Sequence, residues 1–222
     1  MKEILKGQKD HWNKMFKNNP EMFGRKPSEP ARKAAECFKK EGISNILELG
    51  GGQGRDTLFF ARTGFQITVL DYSHEGIKAI TEAANASGLS ERVTAQDHDL
   101  RAPLPFADES FDACYSHMLF CMAFTTPELE FLASEVRRVL KPGGLVVYTV
   151  RHTGDAHYRS GIPRGEDMYE TGGFIVHFFS REKVELLAKG CEILGIDRFE
   201  EGELPRKLFR VTQRKEITKR PV

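Results

Sequence analysis

Residues 45–60 read N-I-L-E-L-G-G-G-Q-G-R-D-T-L-F-F: a short apolar run, four glycines in five residues, and a helical pattern that starts at once. A run this short and apolar suits a buried strand, and its abrupt exit through glycines into a helix makes a strand–turn–helix unit. The same alternation continues. Phe65–Leu70 reads as a second strand, and Ser73 caps a helix that carries Glu75 in its first turn and stops at Gly88. Val93–Asp97 is a weaker third strand and Phe111–Ser116 a fourth. Pro127 opens a helix closed by K-P-G-G, and Leu145–Val150 is the fifth strand. Strands alternating with helices predict an open, mostly parallel, doubly wound α/β sheet with helices on both faces.

The rest of the chain bounds what such a sheet is for. Its 222 residues suit one domain. The 33 basic and 32 acidic residues leave a formal charge of +1, which argues against a dedicated nucleic-acid binder. No apolar run is long enough to span a bilayer, and the opening M-K-E-I-L-K-G-Q-K-D lacks the apolar core of a signal peptide. Cys37, Cys114, Cys121 and Cys191 are scattered and form no C-x-x-C pair. A cytoplasmic protein is expected.

Residues 1–41 read as two helical pieces broken at K-N-N-P-E-M-F-G-R-K-P-S-E-P, a cap ahead of a core spanning 42–150. After the fifth strand, His152–Gly173 shows no periodicity and reads as a long binding loop. Phe174–Phe179 is a strand, Ser180 starts a helix, and Glu192–Glu200 and Lys207–Gln213 are strands joined through G-E-L-P-R that pair antiparallel at the sheet edge. Residues 151–222 thus form the last part of a single unit.

A glycine turn at a helix start offers backbone N–H groups to a ligand. A phosphate loop needs G-x-x-x-x-G-K-[S/T], and no lysine follows these glycines. A dinucleotide site needs G-x-G-x-x-G; counted from Gly50 the last position is Arg55, and from Gly52 it is Thr57. The pattern that fits is E-x-G-x-G-x-G, formed by Glu48, Gly50, Gly52 and Gly54. Further stretches follow in order: T-V-L-D-Y-S at the end of the second strand, D-H-D-L after the third, L-P-F-A-D-E-S-F-D into the fourth and R-V-L-K-P-G-G-L-V-V-Y into the fifth.

Over residues 45–150 this series resembles the class I S-adenosylmethionine-dependent methyltransferases, of the small-molecule type. The resemblance implies a Rossmann-like, seven-stranded, mostly parallel sheet with an antiparallel edge strand and an N-terminal helical lid. It implies S-adenosyl-L-methionine as cofactor and S-adenosyl-L-homocysteine as product. The implied cofactor residues are Glu48, Gly50, Gly52, Gly54, Asp71, Tyr72, Asp99, Leu100 and Ser116. Among these, Asp71 is placed for the ribose hydroxyls, and either Asp97 or Asp99 for the adenine. The logic also holds chemically: the ligand has an amino-acid end, a diol and a base but no phosphate, and a helix start suits its carboxylate.

Methyl transfer is an in-line displacement in which alignment supplies much of the catalysis, so a base is optional. Candidates for one are His117, at the end of the fourth strand, and His152 and His157 in V-R-H-T-G-D-A-H-Y-R. Asp155 is an orienting carboxylate there, Arg159 is an anion-binding guanidinium, and Tyr158 stands beside them. The H-x-x-D-x-H spacing invites a metal reading, but loops do not fix ligand spacing and no metal is expected. His177 reads as a satisfied strand histidine, Cys114 as core, and Cys121 as a thiol near the pocket mouth. Trp12 and Phe16 stand one helical turn apart, either as a lid over the cofactor or as a pin for the helix. The Asn/Asp/Ser-Pro-Pro-aromatic motif of enzymes that methylate nucleic-acid bases is missing after the fourth strand, where the chain reads Y-S-H-M. The basic ending R-K-E-I-T-K-R reads as a solvated tail. The expected activity is methylation of a small molecule. Methylation of RNA or protein, and a non-catalytic module that binds the cofactor, are the alternatives.

Overall fold

The computed structural model describes residues 2–202 and 206–217, with side chains from residue 7 onward. Two helices come first, α1 (Lys2–Asn18) and α2 (Glu29–Lys40). The alternating core follows: β1 (Asn45–Leu49), α3 (Arg55–Arg62), β2 (Gln66–Asp71), α4 (His74–Ala86), β3 (Val93–Asp97), β4 (Phe111–His117), α5 (Thr126–Val139) and β5 (Leu140–Arg151). The last part contains β6 (Ile162–Gly165), β7 (Met168–Thr171), β8 (Phe174–His177), α6 (Arg181–Leu187), β9 (Cys191–Glu201) and β10 (Arg206–Lys215).

Seven strands form one sheet in the order β3-β2-β1-β4-β5-β10-β9. The pairs β1–β2, β2–β3, β1–β4 and β4–β5 are parallel. β10 runs antiparallel to both β5 and β9. The reversed strand therefore lies one place in from the edge, and β9 itself forms the edge. The G-E-L-P-R turn between them falls largely outside the described residues, as does the end of the basic tail. Within the described part of that tail, Arg214 pairs with Glu41 and Lys215 donates to the Leu140 carbonyl, so the basic ending begins inside β10.

Capping follows the local chemistry. Ser28, Ser73 and Ser180 accept from backbone N–H groups at the starts of α2, α4 and α6. Thr125 and Glu128 form a reciprocal capping box on α5. Strand alternation sends side chains to two cores. Ile46, Val69, Tyr115 and Val147 pack with Phe38, Phe60 and Ile80 of α2–α4 on one face. Leu47, Cys114, Val146 and Tyr148 pack with Leu129, Leu132 and Val184 of α5 and α6 on the other. Each fully buried phenylalanine contributes about 2 kcal/mol by area.

One expectation is corrected. His152–Gly173 is no featureless loop: β6, β7 and β8 pair antiparallel as a separate three-stranded sheet. Strands of four residues with glycines at their ends are too short to show a period in sequence. The side chains of Met168 and Ile175 bury against Ala123, fixing this small sheet over the carboxyl ends of the main strands.

Candidate active site

A cavity of about 760 Å³ opens at the carboxyl ends of β1, β2, β4 and β5, where the strand order reverses between β1 and β4. Ligands of open α/β sheets bind at such switch points. One end is built by the glycine turn after β1. Gly50 N–H donates to the Leu70 carbonyl, and Gly52, at φ +56°, donates to Asp71 Oδ2 at 2.9 Å. Gly76 of α4 packs on the turn so closely that a Cβ would lie 2.4 Å from the Gly52 carbonyl oxygen. The turn thus needs Gly76, a glycine the motif does not contain.

Glu48 lies at the floor of this end, 3% exposed, with Oε2 unpartnered among the described residues. Burial pushes its carboxyl up to about 8 against the opposing pull of the nearby Thr57 hydroxyl, which lies outside hydrogen-bond geometry with it. Asp71 is also buried, and desolvation lifts it to about 6, although its oxygens accept from the Ser73 and Gly52 N–H groups. A carboxylate has about four lone-pair sites, so two remain for a ligand. Tyr72, Asp99 and Leu100 line the cavity beside them, whereas Asp97 turns out to pair with Lys9 at 3.3 Å and lies outside the lining. His98, not singled out from sequence, lines the same end with its buried Nε2 unpartnered among the described residues.

Two sequence candidates shape the cavity from outside it. Gly54 is the N-cap of α3 in the left-handed region, packed against Ile80. Ser116 is fully buried, and its hydroxyl donates to the Leu49 carbonyl at 3.0 Å. It projects to the opposite face from its neighbour His117 because strand side chains alternate.

Aromatic rings from the N-terminal segment cover the glycine turn. Phe16 and Phe23 both come within 3.6 Å of where a Gly52 Cβ would sit. Trp12 stands between Phe16 (5.3 Å) and Phe174 of β8 (4.9 Å). Gln53 ties the turn to this cover by donating to the Asn19 and Phe16 carbonyls and accepting from Met22 N–H. Gln8 bonds the Gly173 carbonyl and the Ile175 N–H, joining α1 to the small sheet. Trp12 and Phe16 both line the cavity, and Trp12 also packs α1 against β8.

The far end of the cavity is mixed in charge. His117 Nδ1 lies 2.9 Å from Thr149 Oγ1, and its Nε2 lies 3.3 Å from Glu201 Oε2. Burial alone would raise Glu201, but His117, Arg55 and Arg206 hold it below the ordinary glutamate value. Met118 follows with φ +63°, an uncommon conformation for a side chain of this size, and its N–H donates to Thr149 Oγ1. Asp155 is buried and accepts from Arg151, His157 N–H and Lys207 N–H. That places Arg151 and His157 on the cavity wall.

The remaining candidates lie elsewhere. His152 is 8% exposed, stacks on Phe209 at 4.5 Å and accepts from Gly154 N–H. It does not line the cavity, because it follows Arg151 on a strand and points to the other face. Tyr158 donates to Asp167 and Arg159 covers the Tyr158 ring, both away from the cavity. His177 is buried and satisfied by the Phe124 carbonyl and Lys183. Cys114 is core, and Cys121 is buried against the Met118 carbonyl with its thiol pushed up to about 11 by burial. Among the described residues no group of His, Cys, Asp or Glu is arranged to hold a metal. Arg206, Glu201, Tyr169 and Phe178, which do line the cavity, were missed by sequence reasoning. They come from the small sheet and the β9–β10 hairpin, far from the motifs.

The sheet order, the reversed strand and the acid-flanked glycine turn at the switch point define the class I methyltransferase fold. Residues 46–144 match the family model of a methyltransferase domain. A fatty-acid O-methyltransferase of Mycolicibacterium smegmatis is 35% identical over 127 residues, covering 54% of this chain and 40% of that protein. The chain likewise spans less than half the length of two further curated methyltransferases that it matches. Among solved structures, a methyltransferase from Methanosarcina mazei superposes with a TM-score of 0.70 at 22% identity, covering 79% of this chain and 94% of that one. The 1,6-didemethyltoxoflavin-N1-methyltransferase of Burkholderia thailandensis, solved with that compound and S-adenosylhomocysteine, gives 0.65 at 20% identity, covering 85% and 79%. The chain has the fold of the class I S-adenosylmethionine-dependent methyltransferases and matches a methyltransferase domain over residues 46–144.

Proposed function

We propose that the protein transfers a methyl group from S-adenosylmethionine to a small-molecule acceptor held in the far half of the cavity. One observation carries this reading: a buried carboxyl with an unpartnered oxygen, Glu48, lies beneath the glycine turn in a cavity that a second acid, Asp71, also faces. An unpaired buried acid is costly. A ligand that brings an ammonium to Glu48 and a diol to Asp71 removes that cost. Tyr72, Asp99, Leu100 and His98 then line the place for the adenine, with Gly50 and Gly52 along the amino-acid end. Gly54 and Ser116 take a shaping role.

S-adenosylmethionine supplies an electrophilic methyl on a sulfonium and leaves as S-adenosylhomocysteine. The chain's contribution is alignment and exclusion of water. Trp12, Phe16 and Phe23 cover the cofactor end, and Met118, held by Thr149, shapes the boundary between the two ends. His117 and His157 face the acceptor side, and His152 has no part in this reading. Residues 1–41 act as cap, 42–150 as cofactor core and 151–222 as acceptor side of one catalytic unit. Cover from both the N-terminal segment and the small sheet favours a small acceptor over a nucleic acid or protein chain. Among the described residues no helix is long and apolar enough to cross a membrane, and the four free cysteines support a cytoplasmic setting.

Calorimetric titration with S-adenosylhomocysteine tests the cofactor assignment. Asp71→Ala is expected to weaken binding about a hundredfold by removing two charge-assisted bonds; unchanged affinity would overturn it. A screen of small acceptors for release of S-adenosylhomocysteine tests the transfer itself.

A further inference from the structure

Most charged side chains around the cavity are matched by a neighbour. Arg55 lies 3.0 Å from Asp56, and Arg101 lies 3.2 Å from both Asp99 and Glu128. Arg151 is paired with Asp155, and Glu201 with His117. Arg206 lines the cavity, yet among the described residues its guanidinium makes no hydrogen bond or ion pair. It faces Glu201 across the β9–β10 ladder and its charge helps hold that carboxylate low, but the carboxylate's direct contact is with His117, so among the described residues the Arg206 N–H groups stay free for a ligand.

Strand register explains which groups gather here. Leu208 pairs with Arg151, so Arg206, two residues earlier, shares the sheet face of Arg151. His157 joins them through its Nδ1, 2.8 Å from Arg151 Nη2. A guanidinium offers only protons, so Nδ1 presents its lone pair and the ring proton sits on Nε2. The 3.3 Å contact between Nδ1 and Asp155 is therefore not a hydrogen bond from the ring. Three donors are left without an acceptor among the described residues: the Arg206 guanidinium, His157 Nε2–H and Arg151 Nη1. Phe178, 5.1 Å from the Arg151 guanidinium, and Tyr169 give this corner an aromatic wall. Two guanidinium groups and an imidazole N–H beside aromatic rings on one cavity wall match an acid on an apolar body.

We propose that the methyl acceptor is an acid, an aromatic or other apolar body bearing a carboxylate or phosphate group that Arg206 binds together with Arg151 and His157. This inference rests on the methyl-transfer reading for the word acceptor, but the anion site stands on its own geometry. Four matched probes test it by calorimetry on the S-adenosylhomocysteine-loaded protein: phenylacetate, phenyl phosphate, phenylacetamide and phenethylamine. At least one acid is expected to bind about tenfold tighter than the amide and the amine, and the tighter acid tells carboxylate from phosphate. Arg206→Gln should remove that preference while S-adenosylhomocysteine affinity stays within about twofold, and Arg206→Lys should restore part of it. Unchanged cofactor affinity also reports that the variants are folded. Amide or amine binding as tight as both acids, no binding by either acid, or an acid preference that survives Arg206→Gln would each overturn the proposal. If the wild-type protein bound no S-adenosylhomocysteine, the methyl-transfer reading would fail instead. The acid preference would then be judged on the unloaded protein.

Discussion

Gly51 leaves no room for a methyl group: a Cβ there would sit 2.3 Å from Val69 Cγ2 and 3.2 Å from Ile80 Cδ1. The residue is glycine because the turn presses on the core, quite apart from any ligand. Gly51→Ala is expected to cost about 1–3 kcal/mol in urea unfolding by overpacking, and to weaken S-adenosylhomocysteine binding as the turn shifts. Adding Val69→Ala should recover part of the binding loss; full stability in the single mutant would show that the turn is not clamped. The histidines divide by position: His152, directly after β5, packs into the core, whereas His157, in the turn that follows, lines the cavity. His152→Ala, which removes the stack on Phe209 and the bond from Gly154, should lower the melting temperature and leave cofactor affinity within about twofold. His157→Ala should leave both nearly unchanged and reduce turnover once an acceptor is known. A turnover loss in His152→Ala with stability intact would reverse this assignment.

At the scale of elements, α1 and the small β6–β8 sheet close the cavity together, and Gln8 is their link through Gly173 and Ile175. Trp12, the chain's single tryptophan, sits at that junction. Binding of S-adenosylhomocysteine should therefore change its fluorescence. In stopped-flow measurements Gln8→Ala should speed release several-fold by freeing the cover, as expected for the loss of about one kcal/mol per hydrogen bond. An unchanged release rate would mean that the cover does not gate the cavity. The sequence made some elements readable and not others for physical reasons. Long alternating runs such as Q-I-T-V-L-D and capped helices such as the one begun at Thr125 carry their period and their ends in local chemistry. The cofactor end was legible because its residues lie at consecutive strand ends, each one turn from a motif. The acceptor end was not. Arg206, Glu201 and Arg151 meet only because β10 runs back between β5 and β9, and Tyr169 and Phe178 lie on or beside four-residue strands. Which face His152 or Ser116 takes depends on the parity of the strand, and misjudging it by one residue exchanges the cavity for the core.

At the scale of the whole molecule, the cofactor end is a source of instability that a ligand removes. Glu48 is raised from 4.5 to about 8 and Asp71 from 3.8 to about 6, both chiefly by burial. A raised acid favours the folded state most when protonated. Its contribution is thus fully present below the unfolded value and is lost as pH rises through the folded one. Asp56, Asp155 and Glu201 are lowered instead, so what they add is complete above the ordinary carboxylate range. His152 and His177 are lowered from 6.5 by burial, and their rising contribution ends at that pH. Among the described residues, Glu48 is left to set the slope between pH 6.5 and 8. The ligand-free protein should lose about 1–2 kcal/mol over that window. Glu48→Gln should flatten the slope and raise the melting temperature at pH 8, while weakening S-adenosylhomocysteine binding. With the wild-type protein, the stabilisation by S-adenosylhomocysteine should grow across the same window, because the ammonium favours the ionised acid. Melting curves at pH 6.5 and 8, with and without ligand, for both proteins check each sign. A slope that is the same in Glu48→Gln would remove Glu48 as its cause, and ligand stabilisation that falls with pH would remove it as the ammonium's partner.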